Sequence, residues 1–352
     1  MAKHVHGGDV YRYSNCIDFS TNCNPLGTPK RVREAAQESL FHIHEYPQVG
    51  YQPLKEAIGA YEGVPSYQVI CGNGAAELVF SVCRALSPKR ALVTAPTFAE
   101  YEQALDSVGC QVRHFTLRPE HDFAVEEELL DCLTPELDLV FLCNPNNPTG
   151  ILTGRSFLLK ILERCRQMGI FLVVDECFLD FVKEPEAYTL KEWLLEYQNL
   201  FLLKAFTKRY AMAGLRLGYG LSANTALLEK ITAENQPWNI STPAQAAGLA
   251  ALKETAYVEE GRQLIFRERE YLKEELSACG MQVFPSQANY VFFRGPVDLF
   301  ETCVSRGILI RDCSNYPGLC RGYYRIAVKT HEDNVKLIRT LQEICHCSQT
   351  DQ

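Results

Sequence analysis

Leu137-Asp-Leu-Val-Phe-Leu-Cys-Asn-Pro-Asn-Asn-Pro-Thr-Gly150 is followed, after a stretch of helical apolar spacing over 157–168, by Ile170-Phe-Leu-Val-Val-Asp175. Neither apolar run alternates with polar residues, so strands made from them bury both faces. That is the pattern of a mostly parallel sheet covered by helices. Arg90-Ala-Leu-Val-Thr94 and Leu200-Phe-Leu-Leu203 repeat the strand pattern, and 76–86 and 98–108 repeat the helical one. Residues 45–235 are therefore predicted to form a large α/β domain with helices on both faces of the sheet.

After Pro243 the pattern changes. Helical stretches over 244–253 and 258–279 precede strand-like Asn289-Tyr-Val-Phe-Phe293, Ile308-Leu-Ile310 and residues 323–328, and a helix from about His331 closes the chain. This reads as a smaller α+β domain over 236–352, with residues 1–44 as an N-terminal arm attached to it.

At 352 residues and 47% hydrophobic, the chain buries a large core and is long enough for two domains. A net charge of −8 with no lysine or arginine block argues against nucleic acid or an anionic membrane surface as partner. It leaves room for a small anionic ligand held by local arginines. Many of the 15 cysteines sit in apolar runs (Cys71, Cys83, Cys143, Cys165, Cys177), where a thiol behaves as a small hydrophobe. No C-x-x-C pair has zinc spacing, Cys345-His-Cys347 reads as a frayed end, and no metal is expected. The start Met1-Ala-Lys-His has no apolar signal segment, and no run approaches the roughly 20 residues of a membrane span. A reduced, soluble, cytoplasmic protein is expected.

The polar residues at strand ends carry the chemistry. In open α/β sheets ligands collect outside the carboxyl ends of the strands. Asn147 and Asp175 both follow such strands and should face one crevice. Thr207-Lys208 follows another, and Arg216 lies in Gly214-Leu-Arg-Leu-Gly-Tyr219. Lysine, aspartate, asparagine and arginine are the groups needed to hold pyridoxal phosphate. Lys208 would bond its aldehyde covalently and then act as the acid–base group. Asp175, otherwise a common strand-end cap, would pair with the protonated ring nitrogen and keep the ring an electron sink. Asn147 would donate to the 3'-oxygen. Cys71-Gly-Asn-Gly-Ala-Ala-Glu77 leads from a strand into a helix, so the amides of Gly74, Ala75 and Ala76 would form an anion site for the cofactor phosphate. Arg216 and the Thr207 hydroxyl would complete the clamp. Phe98 is a candidate to stack on the ring, with core packing the equal alternative.

Taken in this order, these residues resemble a fold-type I pyridoxal-phosphate enzyme of the aspartate aminotransferase superfamily. Within it the chain resembles the L-threonine-O-3-phosphate decarboxylases of cobalamin biosynthesis over nearly its whole length. His6-Gly-Gly8, Ile17-Asp-Phe-Ser-Thr-Asn-Cys-Asn-Pro-Leu-Gly27, Phe98-Ala-Glu-Tyr101 and the two loop motifs carry the resemblance. Its most specific part is Ile308-Leu-Ile-Arg-Asp-Cys-Ser-Asn-Tyr-Pro-Gly-Leu319 with Tyr323-Tyr-Arg325. The resemblance implies that Arg325 receives the substrate carboxylate, and that Arg311, His6, Asn22, Asn24 and Arg321 are candidates for the substrate phosphate, Arg321 standing one position off the family pattern. It also implies a homodimer in which Tyr46 reaches the cofactor phosphate of the neighbouring subunit.

Two departures matter. Phe178 stands where many aminotransferases have a tyrosine donating to the 3'-oxygen, which favours a decarboxylase. Ala205 stands where a serine often binds the cofactor phosphate, which predicts weaker cofactor retention. The expected reaction is decarboxylation of L-threonine O-3-phosphate to (R)-1-aminopropan-2-yl phosphate. The alternatives are the same reaction on L-serine phosphate, a histidinol-phosphate-type aminotransferase, and a non-catalytic sensor module. Sensors of this type usually append a DNA-binding domain, which this sequence lacks.

Overall fold

The computed structural model describes residues 7–350, with side chains as far as 345; His6 and the side chains of His346 and Cys347 lie outside the described residues. The central sheet has seven strands, in the order Val69–Gly72, Gly218–Leu221, Leu200–Ala205, Phe171–Asp175, Leu139–Cys143, Arg90–Ala95 and Gln111–Thr116. Only Gly218–Leu221 runs against its neighbours.

The unbroken apolar runs divide by alternation, as strand geometry requires. Leu139, Phe141, Phe171, Val173, Phe201 and Leu203 pack on one face, under helices Ala75–Leu86, Ala99–Ser107 and Thr225–Glu234. Val140, Leu142, Leu172, Val174, Leu200 and Leu202 pack on the other, with helix Arg155–Met168. The two strands least visible in the sequence differ for physical reasons. Gln111–Thr116 is an edge strand that keeps polar residues in solvent. Gly218–Leu221 contains glycine because of a close approach: a Cβ on Gly218 would stand 2.3 Å from the Ala75 amide nitrogen.

The smaller part carries a four-stranded antiparallel sheet in the order Arg311–Asp312, Tyr323–Ala327, Tyr290–Arg294, Gln282–Val283. Ile17–Asp18 pairs in parallel with Ile308–Leu309, so the arm is tied to this part. The change of core does not fall at 235. Helix Thr242–Ala251 buries Ala244, Ala247 and Ala251 in the large-domain core and packs against Lys30–Ser39. Its small residues allow close helix contact, which the change in pattern after Pro243 concealed. The crossing occurs within helix Thr255–Ala278, whose Val258 joins the large core and whose Ile265, Leu272 and Leu276 join the small one. The described part of the arm, residues 7–44, is likewise shared between the two parts: Phe19 joins the small core and Val32 the large one. Among the described residues no helix is long and apolar enough to cross a membrane.

Candidate active site

The carboxyl ends of strands Leu139–Cys143, Phe171–Asp175 and Leu200–Ala205 open into a cleft of about 250 Å³ between the large sheet and the small part. Asp175 stands at the end of its strand, 5% exposed. The Tyr101 hydroxyl donates to its Oδ2 at 2.5 Å and the Cys177 amide to its Oδ1 at 2.9 Å. Tyr101 is itself held by stacking on Phe141, with ring centroids 4.9 Å apart. Burial pushes the Asp175 carboxyl up, and these hydrogen bonds only partly offset it. No ion pair joins Asp175 to a cation among the described residues. A buried carboxylate of this kind calls for a positive partner, and the protonated ring nitrogen of pyridoxal phosphate is one.

Lys208 lies in the short helix Phe206–Arg209, directly after the strand Leu200–Ala205. Its Nζ lines the cleft and stands 5.9 Å from the centre of the Phe178 ring. Phe178 packs edge-on against Tyr290, whose hydroxyl is spent on the Asn146 carbonyl at 2.7 Å. Residue 178 therefore brings no hydroxyl to the cleft. Phe98 also lines it and meets Tyr101 edge-on at 5.4 Å.

The phosphate side is built at a helix N-terminus. Helix Ala75–Leu86 has no side-chain cap, so its first amides are open to a ligand. Ala75 and Ala76 line the cleft together with Thr207 and Arg216. Gly74 has φ +85°, and a Cβ there would stand 2.5 Å from Arg216 Nη2. The loop thus needs glycine both for its backbone and to let the guanidinium lie against the amides. Ala205 also faces this cleft and offers no hydroxyl.

Arg325 closes the opposite wall. It is buried, donates Nη2 to the Ser20 carbonyl at 2.8 Å, and bonds the Asn147 side-chain oxygen through Nη1. With the Asn22 amide turned to satisfy both of its atoms, the Asn22 oxygen accepts from Arg325 Nη1 and Nε at 3.2 Å. Arg311 reaches the same cleft, its Nη2 donating to Asn315 at 2.8 Å and its guanidinium lying over Tyr316 at 5.1 Å. The lining thus carries Lys208, Arg216, Arg311 and Arg325 against the carboxylates of Asp175 and Glu100. A lining of this balance suits anionic ligands, despite the acidic chain around it.

Two expected residues do not reach the cleft. Asn24 is consumed in holding the arm to the lysine loop: its Nδ2 donates to the Arg209 carbonyl at 3.1 Å, its Oδ1 accepts from the Leu26 amide, and its own amide donates to the Lys208 carbonyl at 3.0 Å. Arg321 is on the surface of the small part, donating to the Val297 carbonyl at 3.2 Å. His6 lies outside the described residues. Tyr46 is 81% exposed, packs tilted against Trp238 with ring centroids 4.6 Å apart, and is not among the residues lining its own cleft. Tyr101 and Tyr316 were missed as site residues. Each stood in a quoted motif, but a tyrosine next to apolar residues gives no sign of which carboxylate or guanidinium it will meet.

Residues 14–341 match the family model of aminotransferase class I and II. The threonine-phosphate decarboxylase of Salmonella typhimurium is 34% identical over 352 residues, covering 97% of this chain and 96% of that protein. The histidinol-phosphate aminotransferase of Methanosphaera stadtmanae is 30% identical, covering 93% of this chain and 90% of that protein. Among solved structures, the histidinol-phosphate aminotransferase from Clostridium acetobutylicum superposes with a TM-score of 0.87 at 31% identity, covering 93% of this chain and 98% of that one.

Proposed function

From the premise that the chain belongs to the aminotransferase class I and II family and works with pyridoxal phosphate, we propose that it decarboxylates L-threonine O-3-phosphate to (R)-1-aminopropan-2-yl phosphate and carbon dioxide. The observation that carries this reading is Phe178: an apolar ring, with no hydroxyl, is what residue 178 brings beside Lys208. The two small-part arginines add support, because this substrate has two anionic groups to hold apart. The 34% identity to the Salmonella typhimurium decarboxylase points the same way. The cobalamin pathway is the setting in which this product has a use.

When bound, pyridoxal phosphate supplies the sink for the electron pair of the bond that breaks at the substrate α-carbon. The protein's part is positional. The amides of Ala75 and Ala76, Thr207 and Arg216 would hold the cofactor phosphate, the expected Gly74 amide being spent on the Gly72 carbonyl at 2.8 Å, and Asp175 and Asn147 would hold the ring at its nitrogen and 3'-oxygen. Arg325 grips the α-carboxylate, and Arg311 with Asn22 receives the substrate phosphate, so binding energy at a remote group sets which α-carbon bond is aligned for cleavage. The carboxylate leaves as carbon dioxide, its bonding pair stays behind, and Lys208 returns a proton to the α-carbon.

A second copy of the chain completes this site. Leu40, Phe41, Ile43, Tyr46 and Val49 form an exposed apolar segment, and Tyr46 does not line its own cleft. In the assembly it reaches the cofactor phosphate of the partner; sedimentation of the full chain as a monomer would refute this.

The similarity to histidinol-phosphate aminotransferases supports the second reading, amino transfer from histidinol phosphate to a keto acid. Phosphorus NMR of cofactor-loaded protein with L-threonine phosphate separates them. Aminopropyl phosphate formed without a keto acid is the expected result. Turnover of histidinol phosphate that requires a keto acid, with none of L-threonine phosphate, would overturn the decarboxylase. The same assay with L-serine phosphate tests the shorter substrate.

A further inference from the structure

Behind the sheet, on the side away from the cleft, the chain buries a set of charges that the proposed chemistry leaves unused. Glu62, Glu176, Asp180, Lys204 and Arg209 are each less than a tenth exposed. Lys204 Nζ lies 3.1 Å from Glu176 and 3.8 Å from Glu62. Arg209 Nη2 lies 2.6 Å from Asp180 and 4.0 Å from Glu62. Lys191 adds a third cation, 3.3 Å from Glu62. Tyr219 donates to Glu62, and Thr189 donates to both oxygens of Glu176 at 2.9 Å. Three buried acids thus face three bases in one connected network, and Lys191 also reaches the exposed Glu186 at 3.7 Å.

Stability alone is a weak account of it, because replacing buried ion pairs by apolar residues of similar volume is often neutral or stabilising. Four of its members stand next to, or two residues from, cleft residues in the chain. Glu176 follows Asp175, and on a strand end successive side chains point to opposite faces. Lys204 precedes Ala205 and belongs to the strand that leads into Lys208. Arg209 follows Lys208 directly, and its guanidinium is held between the Tyr61 and Tyr210 rings at 5.1 and 5.6 Å. Asp180 stands two residues after Phe178, in the turn Leu179–Phe181. One network therefore grips the reverse side of Asp175, Lys208 and Phe178.

We infer that Arg209 and Lys204, through Glu62, Glu176 and Asp180, are positioning residues that fix Lys208 and Asp175 relative to each other across the cleft. Breaking a pair leaves a buried charge alone, and any backbone shift that relieves it at Arg209 passes directly to Lys208, the residue before it in the chain. The inference rests on Lys208 and Asp175 being the cofactor-facing pair. Borohydride reduction of the wild-type protein followed by peptide mapping checks that premise by itself, since the label must fall on Lys208.

The test compares Arg209→Met, Arg209→Lys and the neutral pair Arg209→Met/Asp180→Asn, each loaded with cofactor. Visible circular dichroism of the bound cofactor reports its orientation, cofactor titration of the apoprotein reports retention, and steady-state rates separate kcat from KM. For Arg209→Met we expect an altered visible dichroic band and a kcat lower by roughly tenfold or more at little change in KM, with Arg209→Lys restoring much of both. The neutral pair removes the isolated charge, so it keeps the protein folded while still lacking the clamp. Its dichroism and kcat should remain altered. A neutral pair with wild-type dichroism, cofactor affinity and kcat would overturn the inference, as would an Arg209→Met protein whose only defect is thermal stability.

Discussion

Tyr101→Phe isolates one hydrogen bond at the heart of the site. The hydroxyl donates at 2.5 Å to an Asp175 oxygen, while the ring stacks on Phe141 at an interplanar angle of 7° and is fully buried. Phenylalanine keeps the stacking and removes only the donor. With cofactor bound, the bond goes to an ionised carboxylate facing a cationic ring nitrogen, and its loss should cost about 1.5–3 kcal/mol. Without cofactor, burial shifts the Asp175 carboxyl towards its neutral form, and a hydrogen bond to that form is worth the smaller sum of about 0.5–1.5 kcal/mol. The difference, about 1–1.5 kcal/mol, appears as weaker cofactor binding by roughly 5- to 12-fold. Titration of apoprotein with pyridoxal phosphate, followed by protein fluorescence, measures it directly. Thermal unfolding should show a larger loss in the loaded protein than in the apoprotein. Equal losses in the two forms, with an unchanged dissociation constant, would refute the claim that Tyr101 serves the charged state of Asp175.

Three further outcomes are expected. Gly74→Ala places a Cβ 2.5 Å from Arg216 Nη2 at a φ of +85°, which costs about 1–3 kcal/mol in strain and should weaken cofactor retention in the same titration. Arg325→Lys keeps the charge but loses the fork that bonds Ser20 and Asn147, so kcat/KM for L-threonine phosphate should fall by about 10- to 150-fold in initial-rate measurements. Glu62 concerns acid stability. Burial alone would raise its carboxyl, but Lys204, Arg209 and the Tyr219 hydrogen bond bring it from 4.5 down to about 2. A lowered value stabilises the fold above the unfolded-chain value and is lost as pH falls towards the folded one. The wild type should therefore lose about 3 kcal/mol between pH 4.5 and 2, and Glu62→Gln should lack that part of the acid transition when followed by circular dichroism.

Much of the site was legible because its residues stand at strand ends and on tight turns, where local pattern and position in the fold coincide. Asp175 follows an apolar run, Lys208 follows another, and Ala75 and Ala76 follow a glycine turn, so placing the sheet placed them all. The apolar runs themselves determined the layered α/β architecture, since a segment without polar alternation has to be covered on both faces. Pairings distant in sequence were decided only by the tertiary structure. Tyr101 meets Asp175, Arg325 meets Asn147, and Arg209 meets Asp180 through contacts whose geometry no local spacing encodes. The same holds for helix Thr242–Ala251, whose small residues joined the large core once Lys30–Ser39 lay against them, and for Asn24 and Arg321, whose hydrogen bonds took them out of the cleft. A polar side chain in a sequence carries its chemistry with it; which partner satisfies that chemistry depends on what the folded chain brings within about 3 Å.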